Sequence, residues 1–395
     1  MFKSDHALLA RPAILPDSTT RSGLPAFVSI DDVLQAYEGD DAIYVLYPKR
    51  IAAAARTFLT GFPGKVLYAV KANPHPAVLM TLWTSGVRCF DVASTREVDL
   101  VKSILPSAEL YFMHPVKSRA AIRHAYAEGV RDFSFDCADE LYKLLEETGY
   151  ARDLNLHVRL ALPKGDAVMP LSGKFGASRD EATDLIKAAR PHVAMLGLTF
   201  HVGSQCLNTT EYGRALAWAR TIVNDAGVDI DSIDCGGGFP VAYPGMRPQP
   251  MGDYFSAIRS SLADYGFDGI QVLGEPGRAL CAQGGSTLAR VELRKGSDLY
   301  LNDGSYGSLF DAAQCAWKFP VKLHRTTPRQ VGKCTPFRFF GPTCDSLDVM
   351  EGPFELPDDI SEGDWVEICH LGAYGQALAS KFNGFQSETT VAVMA

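Results

Sequence analysis

The sequence predicts an α/β protein, a (β/α)8 TIM-like barrel carrying a second, mostly antiparallel β domain. Two observations predict it. From about Ala42 to Leu280, short apolar runs alternate with amphipathic helical stretches. After about Cys281 the runs stay short but are separated by turn residues, with no helical pattern between them. Strand–helix repetition implies a parallel sheet with helical crossovers. About eight such units over roughly 240 residues fit a closed barrel better than an open sheet.

In chain order, the strand-like runs of the barrel are Ala42–Leu46, Val66–Val70, Val87–Asp91, Leu110–Phe112, Asp132–Phe135, Leu154–Leu160, Leu196–His201, Ser232–Cys235 and Gln271–Leu273. Their near-continuous apolar character suits strands buried on both faces. The clearest helical patterns between them are Arg96–Ser103, Ser118–Glu128, Ala138–Thr148, Arg179–Ala189, Tyr212–Ala226 and Met251–Tyr265. In the second domain Ser286–Leu293, Leu299–Leu301, Val321–Leu323, Arg338–Phe340 and Trp365–Ile368 read as antiparallel strands. Ala26–Ile30 is expected to join them. The domains are therefore drawn as a barrel over 42–280 and a β domain built from 1–41 plus 281–395.

Composition narrows the function classes. Nearly half of the 395 residues are hydrophobic, enough for a large core, and no apolar run approaches the roughly 20 residues of a membrane span. The net charge of −8 comes with no basic tract, so neither nucleic acid nor an anionic membrane is an expected partner. The nine cysteines form no CxxC pair, and no metal site is expected. The N-terminus lacks the pattern of a secretory leader, which makes a reducing, cytoplasmic setting the expectation.

Barrel enzymes place their chemistry at the C-terminal ends of their strands, and the unusual polar residues fall there in succession. Lys71 closes Val66–Val70, and Pro74 blocks continuation. Asp91 ends the next run, with Glu97 one turn into the following helix. Arg159, His201-Val202-Gly203-Ser204, Gly236-Gly237-Gly238 and Glu275-Pro276-Gly277-Arg278 follow on later strands. A strand-end lysine, a histidine or a glycine turn is each unremarkable alone; their joint occurrence at successive strand ends is not. A glycine run lets backbone N–H groups approach an anion, and Arg278 and Ser204 suit a phosphate. A lysine forms an imine with an aldehyde. A flat His201 offers a ring to stack on, and a carboxylate such as Glu275 holds a pyridine nitrogen protonated. Together these describe pyridoxal 5′-phosphate.

The motifs then resemble a known family, the fold-type III pyridoxal-phosphate decarboxylases with an alanine-racemase-like barrel, in the ornithine/lysine decarboxylase branch. The likeness spans roughly residues 25 to 386 and rests on motifs in the family's order: Tyr68-Ala69-Val70-Lys71-Ala72-Asn73, Phe90-Asp91-Val92-Ala93-Ser94, His201-Val202-Gly203-Ser204, Gly236-Gly237-Gly238-Phe239-Pro240, Glu275-Pro276-Gly277-Arg278 and Gly341-Pro342-Thr343-Cys344-Asp345-Ser346-Leu347-Asp348. The tail, Gly372-Ala373-Tyr374 and Phe382-Asn383-Gly384-Phe385, is also similar.

The resemblance implies roles. Lys71 holds the cofactor covalently, His201 stacks on its ring, and Glu275 pairs with the pyridine nitrogen. Ser204, Gly237, Gly238, Gly277, Arg278 and Tyr374 surround the phosphate, and Asp91, Glu97 and Arg159 form a polar shell near Lys71. Cys344, as proton donor to carbon, and Asp345, as receptor for the substrate's distal ammonium, come from the partner of a homodimer with shared active sites. Tyr306 and Phe382 line the substrate pocket, and Lys174 pairs with Asp348 across the dimer.

One departure bears on the substrate. Where eukaryotic members carry a second carboxylate after the Asn302-Asp303-Gly304-Ser305-Tyr306-Gly307-Ser308 motif, this chain has Cys315, with Asp311 one helical turn earlier. The implied activity is decarboxylation of a basic L-amino acid, most readily L-ornithine to putrescine for polyamine synthesis. L-lysine, or both substrates, is the alternative. Diaminopimelate decarboxylase, an alanine-type racemase and a non-catalytic decarboxylase-like regulator fit the motifs less well.

Overall fold

The computed structural model describes residues 14–19 (backbone only), 23–163, 173–326 and 332–394. Two compact units emerge. One comprises Arg50–Gly284 with His370–Ala377; the other comprises the described chain up to Lys49, Gly285–Cys369 and the chain from Leu378 onward.

The first unit is the barrel. Its strands are β1 (Lys65–Ala69), β2 (Cys89–Asp91), β3 (Glu109–Phe112), β4 (Asp132–Phe135), β5 (Asn155–Arg159), β6 (Met195–Thr199), β7 (Ser232–Asp234) and β8 (Gln271–Gly274). Each pairs in parallel with its neighbour, and β8 returns to β1 with Leu273 opposite Lys65, so the sheet has no edge. Leu67, Cys89, Tyr111, Met113 and Leu273 form one buried cluster. Full burial of an aliphatic or aromatic side chain contributes about 1.5–3 kcal/mol. The crossover helices follow the apolar periodicity. Thr95–Ile104 buries Val98 and Val101 and starts at Ser94, whose hydroxyl accepts the Glu97 N–H at 3.2 Å.

The second unit is a ten-stranded, mostly antiparallel sheet. Its centre is the long strand Gly285–Lys295, which pairs with Ile43–Leu46, Asp298–Leu301 and Trp365–Cys369. Pro25–Phe27 joins through Thr390–Val393, as parallel neighbours. Phe27, Val33, Ile43, Leu288, Trp365 and Val391 share one core.

One strand is in a different sheet from that expected. Ala42–Leu46 reads as the first barrel strand, but Ile43–Leu46 pairs antiparallel with Gly285–Lys295 and parallel with Thr390–Val393. All four of its residues are buried, and an apolar run says nothing about which sheet buries it. Among the described residues, no helix is long and apolar enough to cross a membrane.

Candidate active site

The C-terminal ends of the barrel strands carry a ring of polar side chains. Asp91, Arg159 and Asp234 are the last residues of β2, β5 and β7. Glu275 follows β8 directly, and His114 and His201 lie two residues past β3 and β6. Lys71 sits in a single 3-10 turn, Val70–Ala72, which β1 enters after Ala69. Lys71, Asp91, Met113, His114, Arg159, His201 and Glu275 line one cavity of about 480 Å³, together with Lys174 and Phe175. That volume accommodates a small cofactor with its substrate.

The Lys71 ammonium lies 3.6 Å from Asp91 Oδ2. Burial opposes the lysine's charge most strongly, but Asp91, Tyr374 and Glu275 together outweigh it and the ammonium is held above its usual range. Asp91 itself is pushed up to about 7, by burial and by nearby Glu275, against the pull of Lys71. Glu97 caps the polar shell, with Oε2 accepting the Ala93 N–H at 2.6 Å. His201 accepts the Gly203 N–H on Nδ1 at 3.0 Å, which leaves its proton on Nε2. Burial, then the charges of Arg159 and Lys71, hold its pKa well below the usual value, so the ring is neutral.

Glu275 is 4 % exposed, and its Oε1 has no hydrogen-bond partner. Burial and the neighbouring Asp234 raise its pKa well above the carboxylate range. An unpaired buried polar atom is costly. On a residue that lines the cavity, it suits a donor carried by a ligand.

The glycine turn approaches the same place. A Cβ on Gly237 would lie 2.8 Å from the Glu275 carbonyl oxygen and 3.0 Å from His201 Nε2. Gly238 has φ +96°, and a Cβ there would meet the Gly203 carbonyl oxygen at 2.4 Å. The Cys206 N–H donates to Gly238 O at 2.9 Å, which ties the Ser204 loop to the turn. Gly277 brings the loop after Glu275 onto the lysine's turn, where an added Cβ would be 2.9 Å from that of Ala72. The Tyr374 N–H donates to the Ala72 carbonyl at 2.8 Å, and the Arg278 guanidinium lies over the Tyr374 ring at 4.6 Å. Arg278 also donates to the Tyr243 hydroxyl at 3.2 Å. An amine, a buried acceptor oxygen, a flat neutral ring and a turn with no room for Cβ atoms fit a phosphorylated pyridine aldehyde.

The remaining expected residues gather in the second unit. The Tyr306 hydroxyl donates to Asp345 Oδ2 at 2.5 Å, and its ring lies 4.7 Å from that of Phe382. Cys344 is exposed, with Sγ 3.2 Å from Asn383 Oδ1. Asp311 is buried at the start of the short helix Phe310–Gln314. Asp348 is buried too: it accepts from the Ser305 and Thr343 hydroxyls at 2.8 and 2.7 Å. Lys174 stands over the Phe175 ring at 4.9 Å, beside the cavity.

Sequence reasoning passed over His114, Asp234 and Lys117. His114 Nδ1 accepts the Val116 N–H at 3.1 Å, and its ring meets Phe175 edge-on at 5.2 Å. The buried Lys117 ammonium donates to the His114 and Ser134 carbonyls at 2.9 and 2.6 Å and pairs with Glu140 at 3.1 Å, fixing this wall of the cavity. The signal for Asp234 was available: a carboxylate closing an apolar strand, as at Asp91.

Residues 48–282 match the pyridoxal-dependent decarboxylase family over its pyridoxal-binding domain. The lysine/ornithine decarboxylase of Selenomonas ruminantium is 33 % identical over 335 residues, covering 82 % of each chain. Among solved structures, the Paramecium bursaria Chlorella virus arginine decarboxylase bound to agmatine superposes with a TM-score of 0.82 at 28 % identity, over 92 % of this chain and 99 % of the other. The Vibrio vulnificus lysine/ornithine decarboxylase complexed with putrescine gives 0.79 at 32 % identity, over 92 % and 97 %. A lysine and an unpartnered carboxyl oxygen at one barrel mouth, and similarity that runs through both units, have the same origin: this chain belongs to the pyridoxal-dependent decarboxylases, in their ornithine/lysine branch.

Proposed function

We propose that this chain removes the α-carboxyl group of a basic L-amino acid, L-ornithine in preference to L-lysine, releasing CO₂ and a diamine. The observation that carries this reading is one cavity lined by both Lys71 and Glu275, a buried carboxyl with one oxygen unpartnered. Relatives named for lysine and ornithine, and a neighbour solved with putrescine, support the substrate class.

Lys71 would anchor pyridoxal phosphate; His201 would cover its ring, Glu275 would face its nitrogen, and Ser204, Gly237, Gly238, Gly277, Arg278 and Tyr374 would surround its phosphate. When bound, the cofactor supplies an electron sink for the pair left behind by the departing carboxylate. The chain's own residues do the rest. Asp91, 3.6 Å from the Lys71 ammonium and titrating near neutrality, is placed to accept the proton that Lys71 must lose to act as a nucleophile. Arg159 keeps a fixed positive charge at the cavity wall. Neutral His201 adds no charge against the ring.

Asp345 would receive the distal ammonium. The Tyr306 O–H and the Leu347 N–H hold its pKa below the usual range, so it is ionised. Asp311, buried within its unit, is the less available carboxylate. Cys344 would return a proton to carbon. Both Cys344 and Asp345 sit on the second unit, and the reading assigns them to the partner's cavity in a homodimer. The exposure of Cys344 supports that.

The test is turnover of L-ornithine, L-lysine and L-arginine by protein supplied with pyridoxal phosphate. CO₂ should be released fastest from L-ornithine. No release from any of the three, with cofactor bound, would remove the substrate assignment. Borohydride reduction followed by denaturation should leave cofactor on the wild-type chain and none on Lys71→Ala.

A further inference from the structure

Two buried carboxyls stand side by side at the barrel mouth, and only Glu275 has a part so far. Asp234 closes β7 and is fully buried. Its Oδ1 accepts the Gly236 N–H at 2.9 Å, and its Oδ2 accepts the Thr199 hydroxyl at 3.1 Å. The Glu275 carboxyl lies within hydrogen-bonding reach of it, and each group acts on the other's titration. β7 and β8 are neighbours, with Asp234 opposite Leu273, and the Glu275 N–H donates to Gly236 O at 2.8 Å. Two carboxyl groups bond to each other only through a carboxyl proton. Asp234 already takes two fixed donors, which favour its ionised form. The shared proton therefore belongs to Glu275, on the oxygen turned toward Asp234. The other oxygen, Oε1, is left as a bare acceptor.

We infer that Asp234 is a positioning residue for Glu275: the two carboxyls share one proton, and the pair presents a single negative charge and one acceptor oxygen to the ring nitrogen of the cofactor. This rests on the reading of the cavity as the pyridoxal phosphate site. A pyridinium N–H donates to Oε1, the Glu275 proton stays on the far oxygen, and Asp234 carries the charge. The pair neither gains nor loses a proton as the ring enters.

Either residue can carry that one charge, so single and double substitutions part company. Glu275→Gln keeps a carbonyl oxygen for the cavity and an N–H for Asp234. Asp234→Asn leaves Glu275 to ionise in its place. Each should weaken pyridoxal phosphate binding to the apoprotein by less than about tenfold. The double variant has no negative charge left and should lose about a hundredfold or more. Infrared spectra of the apoprotein supply a readout without cofactor. At about pH 9, above the range in which Asp91 titrates, a protonated-carboxyl C=O band should be present and should vanish in Glu275→Gln.

The inference is overturned if Glu275→Gln binds as weakly as Glu275→Ala and adding Asp234→Asn changes nothing, because Glu275 then acts as a lone carboxylate. It is equally overturned if the apoprotein lacks the band. A wild-type chain that takes up no pyridoxal phosphate would instead remove the reading of the cavity, and the infrared band would still decide whether the pair shares a proton.

Discussion

Gly237 and Gly238 act through the atoms they lack. The space a Cβ would need at Gly237 is taken by the Glu275 carbonyl and the His201 ring. Gly237→Ala should therefore push His201 aside and weaken pyridoxal phosphate binding by about tenfold or more, with the fold retained, as read by cofactor titration and circular dichroism. Gly238→Ala adds a left-handed backbone to a 2.4 Å approach on the Gly203 carbonyl. It should cost stability as well as affinity, about 1–3 kcal/mol in urea unfolding. Cys344 makes a different kind of prediction, because its thiol is set against Asn383 rather than buried in a core. Cys344→Ala should still release CO₂ but should misplace the returning proton, so the product shifts from diamine toward aldehyde. Clean diamine at the wild-type rate would take Cys344 out of the mechanism. At this scale the sequence is readable where a charge interrupts an apolar run: Lys71, Asp91 and Glu275 stand out that way. His114 does not, since His-Pro after an aromatic run reads as an ordinary turn. Asp234 carries the same signal, a carboxylate closing an apolar strand, and was passed over for the glycines that follow it.

Elements were legible in kind and less so in partner. The eight barrel strands and their helices follow directly from apolar periodicity, because each strand pairs with a near neighbour in sequence. Ile43–Leu46 breaks that rule. Its partners, Gly285–Lys295 and Thr390–Val393, lie more than two hundred residues away, and no local pattern marks so distant a pairing. Val349–Pro357 escaped notice because Gly352, Pro353 and Pro357 read as turn residues. The second sheet also carries a buried polar joint with its own pH signature. Glu367, central in Trp365–Cys369, accepts from the Tyr47 hydroxyl at 2.5 Å and meets His324 Nε2 at 3.2 Å and the Lys322 ammonium at 3.7 Å. Burial would raise its pKa, but these partners pull it down to about 2. A carboxyl whose folded pKa lies below its unfolded one stabilises the fold above the unfolded value, and that contribution fades as the pH falls through the folded value. Glu367→Gln should therefore cost about 3 kcal/mol at neutral pH. The difference from wild type should shrink below about pH 4.5 and vanish near pH 2, as followed by tryptophan fluorescence in urea. A gap that stays constant with pH would mean that the joint acts through shape rather than charge.

For the whole molecule, the chemistry-bearing residues divide between the two units. Lys71, Asp91, His201, Asp234 and Glu275 belong to the barrel, and Tyr306, Cys344, Asp345 and Phe382 to the β unit. On the proposed roles neither group is sufficient, since one would hold a cofactor without returning a proton and the other would offer a proton and a carboxylate without an electron sink. This division is legible in the sequence only through the order of the motifs, because nothing in a local pattern says which unit a residue joins. The homodimer reading has a quantitative consequence. Lys71→Ala and Cys344→Ala should each make almost no diamine alone. If each site draws its lysine from one chain and its cysteine from the other, a mixed dimer contains one doubly damaged site and one intact site. Random exchange of equal amounts puts about half of the chains in mixed dimers, so diamine formation should recover to about a quarter of the wild-type level. If each chain completes its own site, every site in the mixture carries one lesion and recovery is nil. Exchange can be verified independently with differently tagged chains, so that a nil result with demonstrated mixing would place Cys344 in its own chain's cavity.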